Sequence, residues 1–153
     1  NIALKKVVLN MESNLEWDKE AKISTGIAGI KRFFDDLDSI SKLSKNNQEF
    51  SYELMGNLDK MFSKGMFRKT FADFLQSQAE RIVKNPKVLT EFNNTVSLYT
   101  ELSKWWGTFI SELSYERLSD DQSLDLLKNK LASILEMEEN AIKLLSELLI
   151  EES

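Results

Sequence analysis

Hydrophobic residues along this chain recur every three or four positions, which is the spacing of one face of an α-helix. The pattern predicts six helices, which begin near residues 2, 25, 47, 66, 86 and 120. The sequence has no stretch in which apolar and polar residues alternate as they do in a strand. We therefore expect an all-α fold, a single-domain bundle of about six helices over residues 1–153.

Capping residues and glycine mark several of the helix ends. Asn85 and Pro86 predict a helix start, because a capping side chain is followed by proline at the first helical position. Asn47 is expected to cap the third helix. Residues 119–122 match a capping box, in which Ser119 accepts a backbone hydrogen bond. Gly65 is expected to end the third helix, because a left-handed turn is cheap for glycine.

Three of the predicted helices carry long apolar stripes that should form the core. The fourth is expected to bury Phe67, Phe71, Phe74, Leu75 and Ile82. The fifth carries Leu89, Phe92, Val96, Tyr99, Leu102, Trp106, Phe109 and Leu113, and the sixth carries Leu124, Leu127, Leu131, Ile134, Ala141, Leu145 and Leu148. Between the first two helices, residues 14–25 are polar and irregular, with Trp17 as their large apolar residue.

Glu138 occupies a position of the last helix where the apolar spacing calls for a hydrophobic residue. Ile134 and Ala141 place it on the buried face, whereas Glu136 and Glu139 point toward solvent. An unpartnered buried carboxylate is costly, so Glu138 should find a partner or take up a proton. The alternative is a local gap in the packing through which the side chain reaches water.

Arg68 is the candidate partner of Glu138. It lies on the edge of the apolar stripe of the fourth helix, three residues before Phe71. A guanidinium suits such a site because it can hold a carboxylate with two parallel hydrogen bonds. The sequence therefore predicts a structural ion pair between Arg68 and Glu138.

The turn at Gly65, which leads into the fourth helix, has two interpretations. With Lys64 and Arg68 beside it, Gly65 could hold a phosphate on free backbone N–H groups at a helix start. The sequence has no P-loop pattern, however, and no strand precedes the glycine. A plain turn between two helices is therefore the favoured interpretation.

Aromatic residues of the fifth helix suggest a second kind of site. Trp105, Trp106 and Tyr99 could line a ligand pocket or face a partner, although aromatic residues at helical spacing usually belong to the core. Neighbouring tryptophans point in different directions on a helix, so Trp105 should be the more exposed of the two. These three residues and Lys64 are the positions expected to face a substrate or partner.

Composition narrows the chemistry that this chain can perform. It contains no Cys and no His, which excludes thiol nucleophiles, Ser-His-Asp triads, disulfides, and thiolate or imidazole metal ligands. We expect no catalysis by this chain alone, no metal and no cofactor. A net charge of −5 disfavours nucleic acid, and no apolar run approaches the ~20 residues of a membrane span. The expected location is cytoplasmic.

Short motifs in four parts of the chain carry a family resemblance. A Gly-x-Phe-Arg element at residues 65–68 opens the fourth helix, which continues into a motif that begins Phe-Leu and ends in Ala at residues 74–79. The Trp-containing run 102–106, the Glu-containing run 135–139 and the Gly-containing run 26–30 also match. Together they resemble the helical C-terminal region of proteins related to butirosin biosynthesis protein H, a C39-peptidase-like acyltransferase family.

This resemblance implies a parent protein with an N-terminal domain similar to C39-type cysteine peptidases. Butirosin biosynthesis protein H transfers an acyl group from an acyl carrier protein to an aminoglycoside. Because this chain lacks Cys and His, no catalytic dyad carries over to it. Arg68, Trp106 and Glu138 match motif positions of the family.

Two functional hypotheses follow from these patterns. The first is a non-catalytic accessory domain of an acyltransferase-like or peptidase-like protein of specialised metabolism, which helps to shape a substrate or carrier-protein site. Its partner would be a linked N-terminal catalytic domain or an acyl carrier protein. The alternative is a stand-alone helical protein-interaction module.

Overall fold

The computed structural model describes residues 2–12, 26–62, 65–83 and 85–151, and within these ranges every regular element is a helix. The helices are α1 (Ile2–Glu12), α2 (Gly26–Asn46), α3 (Gln48–Phe62), α4 (Gly65–Ile82), α5 (Pro86–Glu112), α6 (Tyr115–Ser119) and α7 (Asp121–Glu151). The predicted all-α bundle is confirmed. Residues 14–25 with Trp17, and Lys64, lie outside the described residues.

The predicted helix starts are correct at two asparagines and wrong by one residue before α7. Asn47 and Asn85 accept backbone N–H groups through their side chains, each at 3.0 Å, as expected of caps. Before α7 the capping side chain is Asp120, which accepts from the Ser123 backbone N–H at 2.8 Å. Ser119 instead ends α6, so it does not act in the predicted capping box.

Gly65 belongs to α4, not to the end of α3. The third helix ends at Phe62 and the fourth begins at Gly65. The left-handed conformation occurs instead at Gly26, where φ is 59° at the first residue of α2. A side chain at that position would strain the backbone, which explains the glycine there.

The short helix α6 is the element that periodicity did not predict, because five residues are too few to show a period. It is held in place by Leu118, which is buried, and by the Ser114 cap. The buried Ser41 hydroxyl of α2 donates to the Leu118 carbonyl at 2.6 Å. This bond ties α6 to α2 and turns the chain from α5 into α7.

The core lies around α5, which packs against α4 on one side and α7 on another, while α7 also contacts α1, α2 and α6. The predicted stripe of α7 is buried at every position, and that of α5 is buried except at Leu89, which is partly exposed. These two long helices therefore supply most of the buried surface. No helix in the described ranges is both long enough and apolar enough to span a bilayer.

The predicted core face of α4 is correct at Leu75 and wrong at two of its phenylalanines. Phe67 and Phe74 are 58% and 43% exposed, and Phe71 is only partly buried. Leu75 is buried together with Ala72 and Ala79, and these three residues form a stripe that faces α5. Two alanines on this face allow close packing of α4 against α5, and that orientation leaves the phenylalanines at the surface.

Candidate functional site

Glu138 of α7 is a fully buried carboxylate, with 0% of its surface exposed. Its Oε1 atom accepts two hydrogen bonds, from Arg68 Nε and from Trp106 Nε1, both at 2.8 Å. The predicted Arg68–Glu138 ion pair is therefore formed, and Glu138 does not reach water through a packing gap. Its two partners come from α4 and α5, so this carboxylate joins three helices.

The pair does not have the expected double-hydrogen-bond geometry. Arg68 engages Glu138 through Nε, and the indole N–H of Trp106 bonds to the same carboxylate oxygen. Glu138 Oε2 is also buried, and it has no hydrogen-bond partner among the described residues. Both donors therefore share one carboxylate oxygen, and the other acceptor oxygen remains unused among the described residues.

Tyr99 lies on the same face of α5 as Trp106, two turns earlier, and is buried. The Tyr99 and Phe71 rings pack edge to face, with ring centroids 4.8 Å apart. Burial raises the pKa of Tyr99, the Glu138 carboxylate raises it further, and Arg68 acts in the opposite direction. The Tyr99 phenol is therefore neutral beside the charged pair at physiological pH.

A cavity of about 480 Å³ opens next to this cluster. We name it the Glu138 cavity; it is lined by Met11, Phe67, Arg68, Thr70, Phe71, Phe74, Tyr99 and Glu138. Its apolar wall comes mainly from the phenylalanines of α4, and its polar end is formed by the ion pair and the Tyr99 ring. Because Arg68 is 26% exposed, its guanidinium connects the buried carboxylate with the open part of the cavity.

The residues predicted to face a substrate or partner divide between different environments. Tyr99 lines the Glu138 cavity, and the partly buried Trp105 lines a separate pocket of about 280 Å³ that also includes Lys104 and Lys130. Trp106 is buried and lines neither of these pockets, which agrees with the alternative that it belongs to the core. Its position on the core side of α5 directs the indole to Glu138, while Trp105 is partly buried against the edge of the core.

The sequence did not predict that Phe67 and Phe74 lie at the surface, or that Met11 of α1 lines a cavity with them. The available signal was the second stripe of α4, since alanines at positions 72 and 79 offer a competing face for packing. Among the described residues, no three acidic side chains are grouped so as to hold a metal ion. The arrangement offers an apolar wall for binding, with the partly exposed Arg68 side chain beside it.

Comparison with protein-family models, with curated proteins and with solved structures finds no match to this chain. A functional interpretation therefore rests on the geometry of the Glu138 cavity and on the motifs of the sequence.

Proposed function

We propose that this chain is a non-catalytic helical accessory domain of an acyltransferase-like or peptidase-like protein of specialised metabolism. In this role it forms part of the wall of a substrate or carrier-protein site. A linked N-terminal domain would supply the nucleophile and base that this chain lacks. An acyl carrier protein is the partner that the motif resemblance suggests.

The Glu138 cavity carries this proposal. Phe67 and Phe74 are large aromatic side chains that remain 58% and 43% exposed, whereas the other phenylalanines whose burial the structure describes are buried or partly buried. Exposed aromatic groups around a concave surface with a few converging polar groups are typical of binding sites. The cavity volume of about 480 Å³ is also in the range of small-molecule sites, roughly 300–1,000 Å³.

The convergence of the motif residues adds support. Arg68, Trp106 and Glu138 come from three separate runs of sequence that carry the resemblance. Both Arg68 Nε and Trp106 Nε1 lie 2.8 Å from Glu138 Oε1. Residues that build one polar cluster are more plausible as a functional unit than three unrelated matches. The cluster holds α4 in the orientation that exposes the phenylalanines.

A second candidate function, a stand-alone helical interaction module, is favoured by a different surface. Tyr52 of α3 is exposed, and its ring stacks on that of Tyr115 from α6 with centroids 6.4 Å apart. Exposed tyrosines are common anchors in protein–protein interfaces. On this alternative, partners bind at the Tyr52–Tyr115 pair and the Glu138 cavity has no linked chemistry.

The first test is to read the coding sequence upstream of Asn1. The accessory-domain proposal expects a region with a Cys and His dyad in the same reading frame. A stop codon that separates this chain from any such region would favour the interaction module instead.

The second test maps the binding of an acyl-loaded carrier protein onto the isotope-labelled chain by NMR. We expect shift changes in α4 around Phe67 and Phe74, and their loss in Phe67→Ser. The matched control is Leu126→Ser, because Leu126 is 62% exposed on α7 and does not line the cavity. Shift changes confined to the surroundings of Tyr52 and Tyr115 would reject the accessory-domain proposal.

A further inference from the structure

Building on this proposed function, we propose that the Glu138 cavity binds an uncharged amphipathic ligand with a carboxamide head group. The apolar body lies against Phe67, Phe71 and Phe74, and the carboxamide lies at the end formed by Arg68 and Glu138. The inference concerns the chemical class of the ligand, which the proposed function leaves open.

The charge balance of the cavity selects an uncharged head group. The positive charge of Arg68 is matched by Glu138, with 2.8 Å between Arg68 Nε and the carboxylate, and the neighbouring Tyr99 phenol is neutral. A carboxylate ligand would place a second negative charge beside the buried Glu138. An ammonium group would place a second positive charge beside Arg68. Either charge would be uncompensated in largely apolar surroundings, which weakens binding.

The unused hydrogen-bonding atoms select a group that both accepts and donates. Glu138 engages only Nε of Arg68, which leaves the two Nη nitrogens outside this contact. Glu138 Oε2 has no donor among the described residues. A carboxamide supplies a carbonyl oxygen for an Nη nitrogen and an N–H group for Oε2. Glu138 Oε2 is buried, so the ligand cannot reach it without a movement of the protein. We propose that the partly exposed Arg68 side chain moves together with the bound ligand carbonyl, and that this movement lets the ligand N–H group reach Oε2.

The apolar wall accounts for affinity, while the polar end accounts for selectivity. Phe67 and Phe74 expose enough aromatic surface for an aliphatic body to cover, and removal of that surface from water favours binding. Phe71 lies between them, with its ring 6.4 Å from that of Phe74 and 4.8 Å from that of Tyr99. The phenylalanines thus lead from the surface to the polar end of the cavity.

The test compares three ligands that share one aliphatic chain: octanamide, octanoate and octylamine. Each is titrated into the full chain below its micelle concentration, with calorimetry for affinity and the Trp106 indole N–H resonance as the local reporter. We expect octanamide to bind about tenfold more tightly than either charged ligand, and to shift the indole resonance. Equal or tighter binding of octanoate or octylamine, or no octanamide binding, overturns the inference.

Glu138→Gln should reverse this selectivity. The substitution keeps the shape and an acceptor oxygen for Trp106, but it leaves the Arg68 charge without its anion, so octanoate should become the preferred ligand. Unchanged preference for octanamide in folded Glu138→Gln contradicts the role of charge balance. If the variant does not fold, Phe67→Ser replaces it. That exposed substitution should weaken octanamide binding while Leu126→Ser does not, and equal affinities in the two variants overturn the cavity as the site.

Failure of this inference can be separated from failure of the proposed function. If the carrier protein shifts α4 resonances and octanamide does not bind, the ligand class is wrong and the accessory role remains. If octanamide binds with the expected selectivity but no carrier protein and no linked catalytic domain is found, the ligand site stands and the accessory role fails.

Discussion

Two glutamates of this chain each hold two donors, but in opposite environments. Glu138 is 0% exposed, and its Oε1 atom binds Arg68 and Trp106. Glu112, at the end of α5, is 27% exposed and meets Lys130 at 2.7 Å and Arg117 at 3.2 Å. The number of contacts is the same, so the difference in burial decides how much each glutamate matters to the fold.

The Glu112 and Glu138 clusters should contribute differently to the free energy of unfolding, because solvent reaches only the first of the two carboxylates. Around Glu112, water competes for the ions and replaces any partner that is lost, so pairs of this type contribute about 0–1 kcal/mol. Around Glu138, no water reaches the carboxylate, and removal of a partner leaves a buried charge without compensation. The buried cluster should therefore fix how α4, α5 and α7 meet. The Glu112 cluster also bridges three helices, α5, α6 and α7, but its exposure should make its contribution small.

Arg68→Ala should have the largest effect. It removes the cationic partner of a carboxylate that stays buried, so we expect the free energy of unfolding to fall by about 3–5 kcal/mol. Urea denaturation followed by circular dichroism measures the loss. Arg117→Ala is the matched control at Glu112, and an equal loss in both variants would remove the distinction between the two sites.

Trp106→Phe should rank second. The phenyl ring keeps much of the packing against Phe109 but cannot donate to Glu138 Oε1, and a hydrogen bond to a charged group is worth about 1.5–3 kcal/mol. Trp105→Phe controls for the loss of indole volume, because Trp105 has no such contact with the carboxylate. Denaturation midpoints that fall equally in the two variants would show that the indole N–H is unimportant.

High pH should weaken the fold through Tyr99. Its pKa is raised in the folded chain, so the folded state holds the phenol proton to higher pH than the unfolded state does. The stabilisation is complete below the ordinary pKa of about 10 and is lost as pH rises through the folded value, by at most about 1.4 kcal/mol per pH unit. Thermal unfolding between pH 8 and 11 should show a shallower alkaline decline in Tyr99→Phe. Parallel curves for the two proteins would contradict a raised pKa.

Lys130→Ala should have the smallest effect. It removes the shorter of the two ion pairs of Glu112, yet both side chains reach solvent and Arg117 remains in place. The expected change in the free energy of unfolding is about 1 kcal/mol or less, reduced further by added salt. A loss comparable to that of Arg68→Ala would mean that exposure does not separate the two glutamates.

The all-α class and the Arg68–Glu138 pair could be predicted from sequence because both depend on the spacing of residues within individual helices. Glu138 interrupts a regular apolar stripe, and Arg68 flanks another, so their burial and opposite charge made the pairing predictable. The burial of Leu75 also followed from sequence. The rest of the α4 face did not, since the phenylalanines at 67, 71 and 74 and the alanines at 72 and 79 both fit a helical stripe beside Leu75. The choice between those two faces depends on how closely α4 can approach α5, which is a property of the assembled bundle.

Two finer features also lay outside what spacing alone can indicate. The bond from the Trp106 indole to Glu138 depends on the rotation of α5 relative to α7, so the sequence suggested only that Trp106 belongs to the core or a pocket. At the start of α7, Ser119 and Asp120 are adjacent residues with similar capping ability. The presence of α6 decides between them, because it takes Ser119 as its last residue.

The central claim is that Arg68 and Glu138 are energetically coupled within the core. A double-mutant cycle of Arg68→Ala and Glu138→Gln, measured by denaturant unfolding of the four proteins, tests this coupling directly. We predict that Arg68→Ala destabilises the wild-type chain far more than it destabilises Glu138→Gln, with a coupling free energy of about 1.5–3 kcal/mol. A coupling below about 0.5 kcal/mol, within the range of additive sites, would contradict the account.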